Sequence, residues 1–199
     1  MNLTKIAFDL IATLGYGGLF VGLFIDSFGV PIPSEVLVPL ATALVGKGTF
    51  SLVGVFIVST VAQTLGGLAG YAIGRYAGEP FLIKYGKYLL ISRHDLDRTH
   101  TAFERYGKVL TLGGRCLPVI RGLIAYPAGI AEMPIVTFTV YTAIGSALWT
   151  AILMYLGTLL GDHLDLIEVY GHQLSYVIIG IIIIALGWHL RHVVSRKRS

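Results

Sequence analysis

Charge is the scarcest ingredient of this chain. Only 13% of its residues are Asp, Glu, Lys or Arg, against about 25% in an ordinary soluble domain, and its mean hydropathy is +0.76. That shortage excludes a freely soluble domain and predicts an integral membrane protein. Cysteine is almost missing as well. Cys116 alone cannot close an internal disulfide, and it reads as a small apolar filler. No polar Ser/Pro/Gly-rich linker divides the chain, so a single membrane domain, 1–199, is expected. The six histidines show no metal-ligand spacing, and no Ser/His/Asp pattern for hydrolysis occurs. The expectation is a protein that is not an enzyme and holds no cofactor and no metal. A cleavable leader is not expected: Lys5 alone precedes the first apolar run, Asp9 interrupts it, and no small-residue cleavage site follows.

What is present divides into apolar spans and broken apolar segments. Residues 1–27 read as a first span, amphipathic over residues 3 to 14. Residues 28–46 are apolar but carry Gly29, Pro31, Pro33 and Pro39, which suits a re-entrant hairpin better than a straight crossing. Residues 48–78 form a second span, with glycine at 66, 70, 74 and 78 leaving one helix face almost bare backbone. Residues 79–105 are polar and basic and predict cytoplasmic or interfacial helices, including an amphipathic surface helix in SRHDLDRTHTAFERYG with Ser92 or Asp95 as its N-cap. Residues 107–131 form a second broken segment around Pro118, residues 133–161 a third span, and residues 173–192 a final one anchored by Trp188. His189 and His192 fall at the interface. The architecture is all-α: a polytopic membrane protein with two inverted re-entrant hairpins, transmembrane helices and an amphipathic helix.

Lys and Arg gather in residues 75–105 and in the closing RHVVSRKRS, whereas the connection 161–173 has none. The positive-inside rule then places the first two, and with them the C-terminus, on the cytoplasmic side. The basic tail reads as a membrane anchor, and no nucleic-acid partner is expected. The first hairpin opens from outside and the second from inside. Tyr71, Gly74 and Gly78 at the end of one span echo Tyr155, Gly157 and Gly161 at the end of the other. Two inverted units of this kind match the logic of secondary transporters.

The chemistry is concentrated in the two broken segments. Arg115 and Arg121 flank Pro118 in GGRCLPVIRGLIAYPAG, and each costs roughly 2.5–3.5 kcal/mol at bilayer depth. On an unbroken helix they would lie about 240° apart, so a proline break is needed for them to converge. Asp26 and Glu35 flank Pro31 and Pro33 in the earlier segment. Guanidinium forks suit phosphate, and a half-helix beginning at Pro118 would add free N–H groups. A phosphate at that depth belongs to a lipid head group. Asp26 and Glu35 are expected to pair with the arginines when the site is empty, and proton uptake on their release would couple transport to a proton gradient. A static ion-pair network joining the hairpins is the competing reading. Gln63 and Thr64 read as interhelical packing, and Tyr126 and Glu132 as residues of the inner interface.

Three ordered motifs, IDSFGVPIPSE, LGGLAGYAIGRYAG and FERYGKVLTLGGRCLPVIRGLIAYPAGIAEM, followed by Phe138 and Trp149, resemble those of the DedA family, also described as SNARE-associated or VTT-domain proteins. The resemblance covers about Ile25 to Gly161. It implies facing re-entrant hairpins and a flippase of the bacterial cytoplasmic membrane that moves undecaprenyl phosphate inward for carrier-lipid recycling in cell-wall synthesis. The alternatives are a phosphatidylethanolamine or phospholipid flippase or scramblase and, further off, a proton-coupled small-ion or drug antiporter. The family's functional positions match Asp26, Glu35, Arg115 and Arg121. Gly67 departs from the acidic residue that many members carry. Exact lipid, energy coupling, direction and homo-oligomerisation are left open.

Overall fold

The computed structural model of the protein describes residues 11, 13–30, 32–46, 48–89, 93–117 and 120–160, with side chains described for all of these except 78–100 and 160. The final span at 173–192, the basic tail with His189 and His192, Trp188, Ser92, Pro31 and Pro118 lie outside the described residues or side chains. Among the described residues every regular element is a helix: α1 Tyr16–Ser27, α2 Ser34–Ala43, α3 Leu52–Leu89, α4 Arg93–Arg115, α5 Ala125–Ile130 and α6 Ile135–Leu160. The all-α expectation holds.

Length sorts these helices into two kinds. The apolar part of α3, Leu52–Ala77, and that of α6, Ile135–Leu159, have 26 and 25 residues, about 39 and 37 Å at 1.5 Å per residue. Both can cross a hydrocarbon core about 30 Å thick. Helices α1 and α2, with 12 and 10 residues, reach only about 18 and 15 Å and cannot. Ser51 starts α3, its Oγ accepting the Gly54 N–H at 3.0 Å as an N-cap. Beyond residue 78 the helix continues unbroken to Leu89. Helix α4 likewise joins the polar stretch and the first arm of the second broken segment in one piece. No proline interrupts residues 93–115, and Gly107, where the polar stretch meets the broken segment, costs only about 1 kcal/mol and is too weak a breaker.

Surface and interior are inverted relative to a soluble bundle. Val53, Ile57, Val61 and Leu65 on α3 are exposed, as are Val136, Val140, Ile144 and Leu148 on α6, each set repeating every four residues. The opposite faces bury Ser59 and Gln63 on α3, and Thr142, Ser146 and Thr150 on α6. Water would favour the reverse, whereas lipid favours this arrangement. The protein is a membrane protein whose polar groups are sheltered inside.

Helix packing pairs the two halves. Helix α1 lies on α3 as α4 lies on α6; α2 lies on α6 as α5 lies on α3; α1 touches α2 as α4 touches α5. Each short second arm therefore packs on the long helix of the other half. Glycine makes these approaches close. A Cβ at Gly66 would meet the Phe24 carbonyl carbon at 3.1 Å and Ser27 Cβ at 3.0 Å, one at Gly74 would meet Tyr126 Cα at 3.0 Å, and one at Gly157 would meet Pro39 Cα at 2.8 Å. The glycine stripe on α3 thus seats α1 and α5, and Gly157 seats α2. Of the echo between the two spans, Gly74 and Gly157 each receive a short helix of the other half, whereas Tyr71 is buried and Tyr155 exposed, and Gly161 lies outside the described residues.

Candidate functional site

The site is assembled where the first arm of each half ends. Helix α1 finishes at Ser27, and Gly29, at φ 111°, turns the chain back toward α2. That conformation is open to glycine at little cost. Asp26 therefore sits in the last turn of α1 and Glu35 in the first turn of α2, so one reversal brings both carboxylates to one place. On the other side α4 ends at Arg115, and a run of turns carries Arg121 before α5 begins.

The two loops interlock. A Cβ at Gly122 would lie 2.8 Å from the Asp26 carbonyl oxygen, and one at Gly29 would lie 3.4 Å from the Tyr126 ring. The Tyr126 hydroxyl donates to the Phe28 carbonyl at 2.5 Å. Tyr126 thereby joins the two halves. Glu132 is exposed and faces Arg75 at 3.8 Å.

All four charged residues converge. Arg115 and Arg121 are 2% and 3% exposed and Asp26 8%. An Arg121 Nη2 hydrogen bond and ion pair engages Asp26 Oδ2, and Glu35 Oε1 lies 4.0 Å from the same nitrogen. Trp149, fully buried on α6, places its ring 5.7 Å from the Arg121 guanidinium carbon, a cation–π contact. Arg115 is within electrostatic reach of Arg121 and Asp26 but makes no ion pair among the described residues. Its Nη1 donates to Ser27 Oγ at 2.5 Å, and Ser27 Oγ donates to the Gln63 carbonyl at 2.6 Å.

Hydrogen bonding in this centre is incomplete. Nε and Nη2 of Arg115, Nε and Nη1 of Arg121, Nε1 of Trp149 and the hydroxyls of Ser34, Thr142 and Ser146 are buried without a partner among the described residues. Unpaired buried donors are costly, and guanidinium donors most of all. Among the described residues no group of three His, Cys, Asp or Glu side chains gathers as a metal site would require.

Pro118, where a half-helix is expected to begin, lies outside the described residues; just after it the N–H groups of Ile120 and Arg121 both donate to the Leu117 carbonyl, at 3.1 and 2.9 Å. Pro33 stands at the N-cap of α2, and its carbonyl accepts the Val36 N–H at 3.0 Å. Gln63 Nε2 donates to Thr150 Oγ1 at 3.0 Å and ties α3 to α6, the expected packing role, whereas Thr64 only donates to the carbonyl of Thr60 in its own helix. Ser27 was invisible in the sequence, one serine among many. Trp149 carried a signal, as a lone tryptophan within an uncharged span.

Comparison with known proteins extends this picture. Residues 32–159 match the model of the VTT domain. The chain is 37% identical over 191 residues to undecaprenyl phosphate transporter A of Bacillus subtilis, covering 95% of this chain and 92% of that protein. The protein of that name from Staphylococcus aureus is 32% identical over 199 residues, 98% of both chains. An alkaline phosphatase-like protein of Lactococcus lactis is 31% identical over 190 residues, 90% of this chain and 88% of that one. No solved structure matches.

Proposed function

The chain belongs to the VTT-domain family, to which the DedA protein also gives its name, and on that premise we propose that it is a lipid translocase carrying undecaprenyl phosphate from the outer to the inner leaflet of a bacterial cytoplasmic membrane. The observation that carries this reading is the set of four unpartnered guanidinium nitrogens on Arg115 and Arg121, buried inside a lipid-facing shell. A phosphate brings several acceptor oxygens to those donors, and planar guanidinium groups bind it in pairs of hydrogen bonds. The polyprenyl tail stays in the bilayer while the head group passes between the interlocked loops.

In this reading α1 with α2, and the end of α4 with α5, are re-entrant hairpins that open to opposite faces and meet at the arginines. Asp26 and Glu35 occupy Arg121 in the empty state. Phosphate displaces them, and the carboxyl set free takes a proton from the outer side, which couples transport to the proton gradient. The C-terminus lies in the cytoplasm. The names of the Bacillus and Staphylococcus relatives support the choice of lipid.

A second reading rests on Glu35. It is the looser carboxylate, 4.0 Å from Arg121, and is free to meet the ammonium of phosphatidylethanolamine. A hydrolase, as the Lactococcus name suggests, would release phosphate.

The deciding experiment uses proteoliposomes holding the full chain and labelled undecaprenyl phosphate or labelled phosphatidylethanolamine, with leaflet exchange and phosphate release measured together. Exchange of undecaprenyl phosphate, accelerated at least tenfold and without phosphate release, is expected. Exchange of phosphatidylethanolamine alone supports the second reading; release of phosphate overturns both.

A further inference from the structure

Two arginines in one pocket invite the assumption that they act alike, but their surroundings differ in kind. Arg121 is masked. Both carboxylates approach its Nη2, and Trp149 covers its face. Its unpartnered nitrogens, Nε and Nη1, lie on different edges of the guanidinium, so no complete fork is free. Arg115 is unmasked. Among the described residues its hydrogen-bond partner is the neutral hydroxyl of Ser27, whose proton is committed to the Gln63 carbonyl, so that Ser27 can only accept from the arginine. Its free nitrogens, Nε and Nη2, share one edge, the edge that grips two phosphate oxygens in parallel.

The path of the Arg115 side chain is fixed by absences. A Cβ at Gly145 would come within 2.7 Å of Arg115 Cβ, and one at Gly67 within 2.8 Å of its guanidinium carbon. The side chain therefore runs in a slot between α3 and α6 and makes no ion pair with a carboxylate among the described residues, and the bare Gly67 leaves room for the fork edge against α3.

From this asymmetry we infer that Arg115, oriented by Ser27, is the residue that first receives the phosphate, and that Arg121 joins only by exchanging a carboxylate for it. The inference rests on the proposed function and sharpens its substrate class. A phosphomonoester, with a second charge to offer Arg121, can displace a carboxylate, whereas the single charge of a phosphodiester is confined to Arg115. Ser27 is a positioning residue that acts through Arg115.

The test is calorimetric titration of the full chain in maltoside micelles with dodecyl phosphate, and with dodecylphosphocholine as the diester probe. Wild type is expected to bind dodecyl phosphate at least tenfold more tightly than the diester. Ser27→Ala should weaken binding about tenfold and Arg115→Gln about a hundredfold, the range for losing charge-assisted hydrogen bonds. Glu35→Gln should strengthen it, and Arg115→Gln/Glu35→Gln should recover part of the loss because Arg121 is then less occupied. A merely structural role for Ser27 or Arg115 gives no such recovery. Equal losses for Arg115→Gln and Arg121→Gln, with no effect of Glu35→Gln, would overturn the inference. Should Arg115→Gln fail to fold, the opposite signs for Ser27→Ala and Glu35→Gln still decide. Asymmetric binding without leaflet exchange in vesicles would spare this inference and remove the transport reading; exchange with equivalent arginines would do the reverse.

Discussion

Asp26 receives the Arg121 guanidinium from across the chain, an ion pair between the end of α1 and the turns before α5 with both partners almost wholly buried. Such a pair is a poor source of net stability but costly to break from one side, since the surviving charge is left without a partner.

Replacing Asp26 with Asn is therefore expected to destabilise the protein by about 3–5 kcal/mol, read as an earlier thermal transition in detergent. The reversed pair, Asp26→Arg with Arg121→Asp, should regain much of the thermal stability but no transport. A network that is purely structural would regain both. Recovered leaflet exchange in the reversed pair would thus remove Arg121 from the phosphate site.

Gly129 tests how the halves are held together. A Cβ there would lie 2.8 Å from the Arg75 amide nitrogen and 3.1 Å from the Gly74 carbonyl carbon, backbone atoms that cannot swing aside. Gly129→Ala should cost about 1–3 kcal/mol, as overpacking does. Gly113→Ala is the control, because nothing lies within 4 Å of a Cβ at that position of α4. It should gain about 0.5–1 kcal/mol from helix propensity. Matching melting curves for the two variants would contradict the close seating of α5 on α3.

Gly67→Ala separates site from scaffold. The obstacle to its Cβ is the far end of the Arg115 side chain, with the guanidinium carbon 2.8 Å away and a methyl of Thr142 at 3.3 Å. A side chain can shift where a backbone cannot. Transport is expected to fall at least tenfold, through displacement of the Arg115 fork, with a change in stability below about 1 kcal/mol. Unchanged transport would mean that the position of Arg115 is not what the lipid senses.

Much of this could be read from sequence because the signals were chemical. Scarcity of charge announced the membrane, and the four charged residues that remained in apolar segments are the ones that converge. The glycine stripe at 66, 70 and 74 foretold close packing, and the structure supplies the partners, α1 and α5. Geometry beyond the local pattern was not legible. The turns at residues 120–124, where the carbonyl of Leu117 takes up the N–H groups of Ile120 and Arg121, have no signature in the local pattern. Ser27 has no periodicity or motif to mark it; its role depends on Arg115, 88 residues away. The unequal masking of the arginines could not be inferred either, since it follows from which carboxylate meets which nitrogen.

The central claim is that the buried arginines hold a lipid phosphate. Native mass spectrometry of the full chain, extracted mildly from a bacterial membrane, measures this directly. Wild type should carry a polyprenyl phosphate adduct that disappears in Arg115→Gln/Arg121→Gln while phospholipid adducts on the apolar exterior persist. An adduct of equal abundance in that double variant would place the lipid elsewhere and contradict the account.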